Sequence, residues 1–271
     1  MSCPGVDLVR HPVGATDLVL LAHGGEEYSR ADPHRWRPAL LRMWPFARMA
    51  ASAAPDAAVG FVRYRFRGWN DDGDPALDLR AVLDELPSVI VRVFLIGHSM
   101  GGRAVVAAGN HPRVAGVLAL APWLPVDEPL SALRPPVTFV HGTDDTITDP
   151  AGTTAYADRL RDAGVAVTTY SLAGEGHAML RRAKDWNRLV AEFVTSARAG
   201  SAARAESTAG AGSAAGGGTE HLPQLEPATP LAAVWDIAAT RFRLRVKARF
   251  QLSGSSTKSK GLGLLRRSHP R

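Results

Sequence analysis

A single cysteine, Cys3, is the only thiol in the 271-residue chain. One thiol cannot close an intrachain disulfide, so nothing calls for an oxidising compartment. Long apolar runs are missing too. The longest, such as 19–22 (VLLA) and 93–96 (VFLI), fall far short of the ~20 residues a spanning helix needs. The N-terminal stretch has Asp7, two prolines and no apolar run, so no secretory signal is expected there, and the chain is read as cytoplasmic with no membrane span. There is no His-Glu-x-x-His or other close His/carboxylate spacing, so neither a metal nor a cofactor is expected. An excess of one charge sign is also lacking where a fold would sit. Residues 1–200 carry 21 Lys and Arg against 22 Asp and Glu, whereas 201–271 carry 11 against 4. The net charge of +6 therefore belongs to the C-terminal part, and no nucleic-acid partner is expected for the core.

What is present is an ordinary globular composition, 45% hydrophobic and 21% charged, which permits a core deep enough to hold a sunken site. The composition changes near residue 197. From Ala197 to Gly218 the chain is almost only Ala, Gly, Ser, Arg, Thr and Glu, which reads as a flexible segment. The expected organisation is a folded domain over 1–197, a linker over 198–230 and a basic, disordered tail over 231–271.

Within the domain, short apolar runs alternate with helical patterns. Strands are expected at 17–22, 57–66, 91–96, 114–120, 137–141 and 165–172, several apolar at nearly every position, as strands covered on both faces are. Helices are expected at 35–53, 75–86, 100–109, 151–163 and 178–196. Asp74 before Pro75, and Asp149 before Pro150, resemble N-caps. The alternation predicts an α/β fold: a doubly wound, mainly parallel sheet with helices on both faces. Such sheets place their chemistry at the carboxyl ends of the strands.

The motifs fall at those ends. Strand 91–96 runs into Gly97-His98-Ser99-Met100-Gly101-Gly102 and then a helical pattern. This is Gly-x-Ser-x-Gly between strand and helix, a turn that exposes Ser99 as a nucleophile at a helix N-terminus. No Lys-Ser/Thr follows these glycines, which disfavours a nucleotide-phosphate loop. A serine needs a base, and the base an orienting carboxylate. Both appear downstream in the order Ser, Asp, His: Asp144 and Asp145 follow strand 137–141, and His177 lies in a glycine-rich loop after strand 165–172. His98, His141 and His111 read as structural. Acyl transfer also needs amide donors for an oxyanion. Met100, next to the nucleophile, and Gly25, in His23-Gly24-Gly25 after the first strand, are the candidates.

The motifs LLAHGG, LIGHSMGG, HGTDDTIT and GEGHAML, in this order over about residues 17–195, resemble the α/β-hydrolase superfamily. The resemblance implies its sheet and its serine triad, and it places the acid on Asp145, the third residue after the glycine of HGxxD. Only sixteen residues, APWLPVDEPLSALRPP, occupy the place where members often insert a helical cap. A comparatively open site is implied, roofed if at all by 123–134 and 26–45.

Trp69 and Trp123 follow strand ends and are the candidates for binding an acyl group. The expected activity is hydrolysis of an ester-like bond in a small-molecule acyl substrate, carboxylesterase-like and without a metal. A serine peptidase or acyltransferase shares the same motifs. A non-catalytic binding protein would have no need to keep the whole constellation.

Overall fold

The computed structural model describes residues 3–33 and 38–209, with side chains to residue 204. Seven strands form one sheet: β1 (Gly5–Arg10), β2 (Asp17–Ala22), β3 (Ala58–Arg63), β4 (Arg92–His98), β5 (Val114–Leu120), β6 (Val137–Gly142) and β7 (Val167–Leu172). Their spatial order is β1-β3-β2-β4-β5-β6-β7. β1 pairs antiparallel with β3, and every other pairing is parallel. β1 was not among the expected strands. It is a half-exposed edge strand with Asp7 and Arg10 in its run, so it lacks the unbroken apolar signature of a central strand.

Among the described residues five helices cover the sheet: α1 (Pro38–Ala53), α2 (Asp74–Glu85), α3 (Met100–Ala108), α4 (Pro150–Asp162) and α5 (Ala183–Ala209). The period-2 alternation of the strands sorts the core into two layers. Leu18, Leu20, Leu95, Val117 and Phe139 face α2, α3 and α4. Val19, Leu21, Phe94, Ile96 and Leu120 face α1 and α5, where the fully buried Trp186 sits. Asp149 caps α4 as expected, accepting the amide of Ala151 at 2.9 Å. Asp74 does not cap α2. Gly73 holds the cap position in a left-handed conformation, and the Asp74 carboxylate accepts instead from Asn70 at 2.7 Å and Arg65 at 3.1 Å.

The boundary expected at residue 197 falls inside α5. Residues 198–209 continue the helix, for two reasons. Alanine has the highest helix propensity of any residue, so an Ala-rich stretch is not by itself flexible. Arg198 also ties the helix to the sheet: its Nε bonds buried Asp17 at 2.8 Å, and its two terminal nitrogens bond Asp56 at 3.0 and 2.7 Å. The rest of the expected linker and the tail at 231–271 lie outside the described residues. Among the described residues no helix is long and apolar enough to cross a membrane.

The order of strands locates the chemistry. From β2 the chain passes to β3 on one side and then to β4 on the other, so the topology reverses between β2 and β4. Crevices at such reversals, at the strands' carboxyl ends, are where ligands bind in open α/β sheets. The loop 23–25 leaves β2 and Ser99 follows β4, one on each side of the reversal.

Candidate active site

Ser99 separates β4 from α3 with φ 58° and ψ −121°, a positive φ that a side-chain-bearing residue adopts only under constraint. The constraint is visible. Its amide bonds the Leu120 carbonyl at 3.1 Å, and its own carbonyl accepts from Arg103 and Trp123, each at 3.1 Å. Gly97 and Gly101 are in backbone contact: a Cβ on Gly97 would lie 2.2 Å from the Gly101 oxygen, and one on Gly101 would lie 2.2 Å from that of Ala22. Only glycine at both positions lets β4 turn into α3 against β2.

The Ser99 hydroxyl lies 3.0 Å from His177 Nε2, and His177 Nδ1 lies 2.8 Å from Asp145 Oδ2. Three residues separated by 32 to 78 positions thus form one hydrogen-bonded line. The Asp145 side chain is fully buried, yet its oxygens are well supplied. Oδ1 accepts the amides of Ile147 and Thr148 at 2.8 and 3.0 Å, and Oδ2 accepts the Thr148 hydroxyl at 2.9 Å as well as His177. Burial pushes this carboxyl upward. The Thr148 amide, the His177 ring and the Ile147 amide outweigh it and hold the pKa down at about 2. Asp145 is therefore a carboxylate at neutral pH. Asp144, the other candidate acid, is exposed and pairs with Arg181 at 3.2 Å, away from His177.

The two oxyanion candidates meet at the elbow. Met100 is the first residue of α3, so its amide has no acceptor within the helix. Gly25 packs against it: a Cβ there would come within 2.2 Å of the Arg67 carbonyl and 2.4 Å of Met100 Sδ. The glycine is required by this packing, a reason the motif alone did not supply.

Trp69 and Trp123 stand edge to face, ring centroids 6.3 Å apart. Each already has a partner. The guanidinium of Arg103 lies 4.0 Å from the Trp69 ring and 4.6 Å from that of Trp123, and it pairs with buried Glu128 at 2.5 Å. Arg103 sits one helical turn after Ser99, so this stack supports the base of the elbow, which Trp123 also reaches through its amide.

Four residues with a place in the arrangement were missed or misread in the sequence. His141 Nε2 lies 3.1 Å from Asp145 Oδ2 while its Nδ1 takes the Thr153 hydroxyl at 2.8 Å. His98 Nε2 lies 3.1 Å from the His177 carbonyl, and the two rings lie tilted at 40° with centroids 4.7 Å apart. Thr148 donates both amide and hydroxyl to Asp145. Glu175 is buried beneath the His177 loop. Its Oε1 accepts the Gly176 amide at 2.8 Å, and its Oε2 accepts the Arg182 amide at 2.6 Å and the Trp186 indole at 3.1 Å. The Glu175 carbonyl in turn accepts the Asp144 amide at 2.9 Å, which latches the His177 loop to the Asp145 loop. His111, also read as structural, pairs with Asp84 at 3.1 Å. Among the described residues no three His, Cys, Asp or Glu side chains form a set that could hold a metal ion.

A hydroxyl on a base oriented by a buried carboxylate, at a helix N-terminus, can form and break an acyl bond. Residues 52–209 match the model of the dienelactone hydrolase family, a span that includes Ser99, Asp145 and His177. No curated protein matches the chain. Solved structures share the fold. Est1E from Butyrivibrio proteoclasticus, with ferulic acid bound, is 13% identical, with 72% of this chain and 95% of that one covered and a TM-score of 0.53. The esterase Pf2001 from Pyrococcus furiosus is 17% identical over 67% and 81%, with a TM-score of 0.53. A sugar hydrolase from Lactococcus lactis is 17% identical over 72% and 95%, with a TM-score of 0.55.

Proposed function

The chain belongs to the dienelactone hydrolase family, and from that premise we propose that it is a metal-independent serine hydrolase that cleaves ester-like bonds through an acyl-enzyme. The observation that carries the reading is the unbroken line from Ser99 Oγ through His177 to Asp145, at 3.0 and 2.8 Å. Ser99 Oγ attacks the carbonyl carbon as its proton passes to His177 Nε2, and the carbonyl electron pair becomes an oxyanion. The amides of Met100 and Gly25 receive that charge, each contributing about 3 kcal/mol to lowering the barrier. Collapse expels the alcohol, which takes the proton from His177. A water then gives its proton to His177 and attacks the acyl group, releasing the acid and restoring Ser99. Asp145 stays ionised throughout, holding His177 in the tautomer with Nε2 free to accept. The cytoplasmic setting is part of the proposal, supported by a cysteine content that allows no intrachain disulfide.

Esters are favoured over amides by the family, and the substrate is a small acyl compound. The test is Ser99→Ala assayed on a short-chain aryl ester, together with fluorophosphonate labelling of the unaltered chain. Turnover is expected to fall by roughly 10⁴–10⁶-fold with the fold retained. The label should map to Ser99 alone. A folded Ser99→Ala protein that keeps more than a tenth of its turnover would overturn the mechanism, and labelling without turnover on any ester, thioester or aminoacyl amide would favour a binding protein.

A further inference from the structure

His98 occupies the variable position of the elbow, yet its side chain is enclosed and touches the base twice. Its Nε2 lies 3.1 Å from the His177 backbone carbonyl. A carbonyl only accepts, so the His98 proton must reside on Nε2. Nδ1 is then an unprotonated nitrogen, buried and without a hydrogen-bond partner among the described residues. Its ring meanwhile lies against the His177 imidazole, centroids 4.7 Å apart and planes 40° to each other.

We propose that His98 is a positioning residue for the base: its Nε2–H fixes the backbone of His177, and its uncharged ring backs the His177 imidazole when that ring takes up the Ser99 proton. The inference rests on the assignment of His177 as base. Two physical consequences follow from the contacts. Fixing the carbonyl restrains the base loop from the elbow itself, so that Ser99 and His177 are held to one another through His98, the last residue of β4 and the neighbour of Ser99. An uncharged ring beside His177, centroids 4.7 Å apart, also keeps a second positive charge away from the imidazolium formed during reaction.

The second consequence requires His98 to remain neutral while His177 cycles. The groups that face it are His177 from the loop before α5, Arg42 from α1 and, beyond His177, Asp145. Burial disfavours a charge on His98 first of all, and the positive charges of His177 and Arg42 oppose it further. The carbonyl of His177 and the charge of Asp145 act in the other direction and do not prevail, so His98 lies well below the ordinary imidazole range. A proton on Nδ1 would also be a buried donor with no acceptor.

Two variants separate the two contacts. His98→Gln can still donate to the carbonyl but has no ring, whereas His98→Phe keeps a ring and has no donor. With a short-chain aryl ester, His98→Gln should keep kcat within about threefold, because its amide still fixes the His177 carbonyl. His98→Phe should lower kcat about fivefold or more while KM stays. A residue that only filled space would lower thermal stability in both and cut kcat no more in His98→Phe than in His98→Gln, and that result overturns the proposal. Imidazole ¹⁵N spectra of the unaltered full-length protein need no variant to fold. They should show His98 neutral with its proton on Nε2 from pH 5 to 9. A His98 that titrates in that range, or carries its proton on Nδ1, is equally fatal. An active Ser99→Ala protein would remove the catalytic reading and leave the His98 spectra to be judged on their own.

Discussion

Replacing Asp145 by asparagine exchanges one carboxylate oxygen for an amide group, and the surrounding donors decide which one. Oδ1 accepts two backbone amides, from Ile147 and Thr148, that cannot turn away. Oδ2 faces His177 Nδ1, the Thr148 hydroxyl and His141 Nε2. If the asparagine oxygen stays on the two amides, its NH₂ points at His177 Nδ1. That nitrogen must then accept, which moves the imidazole proton to Nε2, the atom that has to take the proton of Ser99. If the side chain flips, the correct tautomer survives, but the NH₂ confronts two N–H donors and two buried hydrogen bonds are lost, at about 1–3 kcal/mol for each unsatisfied group. The first arrangement therefore prevails, and with it the inactive tautomer. A wrong tautomer in such a line lowers turnover by about 10⁴-fold, equivalent to about 5.4 kcal/mol of barrier. Asp144→Asn removes an exposed charge whose partner is the exposed Arg181, a contact of about 0–1 kcal/mol that does not reach the site. Its turnover should stay within about twofold. The assay is kcat/KM on a short-chain aryl ester near pH 8, with near-ultraviolet circular dichroism to confirm the fold. An Asp145→Asn enzyme within tenfold of the parent, or an Asp144→Asn enzyme losing as much, would refute the reasoning.

The same carboxyl makes stability depend on acid. Its pKa is held down at about 2 in the folded chain, against ~3.9 for an unfolded aspartate, so Asp145 contributes roughly 2–3 kcal/mol that is present above pH ~5 and lost as the pH falls towards 2. Urea unfolding at pH 6 and pH 3 should show roughly half of that lost in the parent and no such component in Asp145→Asn; equal slopes in the two proteins would contradict it. Glu175→Gln places an amide group against N–H donors whichever way it turns, so unfolding stability should drop by about 2–4 kcal/mol and kcat should fall more than KM changes. An unchanged urea midpoint would mean that the buried latch under His177 is not needed.

The parts of this molecule legible in the sequence are those where one stretch of chain settles the matter alone. β2 and β5 are continuous apolar runs and form where expected, with the same limits. The nucleophile turn is legible because two backbones touch at Gly97 and Gly101, so both positions must be glycine. β1 is not legible, because an edge strand with one neighbour needs no apolar run. Nor is the further course of α5, where low complexity concealed a good helix former and the anchoring Arg198 finds its partners 142 and 181 residues away. The two tryptophans show the limit most clearly. An aromatic ring after a strand end is visible in the sequence, but the guanidinium of Arg103 lying over both Trp69 and Trp123 is a product of the fold.

The three histidines at the site make the corresponding point about chemistry. In the sequence His98 and His141 differ from His177 only in their neighbours, and all three end within contact of the same hydrogen-bonded line. Their surroundings divide them. Burial lowers the pKa of His141 despite the nearby Asp145, and burial together with the charges of His177 and Arg42 lowers that of His98 much further. Both are therefore disfavoured as proton carriers near neutral pH, and neither reaches Ser99. His177 is less enclosed and joins the hydroxyl to the carboxylate, with the best-supplied oxygen acceptor of the site on its Nδ1 side. A general base is identified when neighbouring titratable groups are pushed apart by their environments. Here two imidazoles are held neutral and one carboxylate is held ionised, and geometry alone marks the third ring, which joins the Ser99 hydroxyl to that carboxylate.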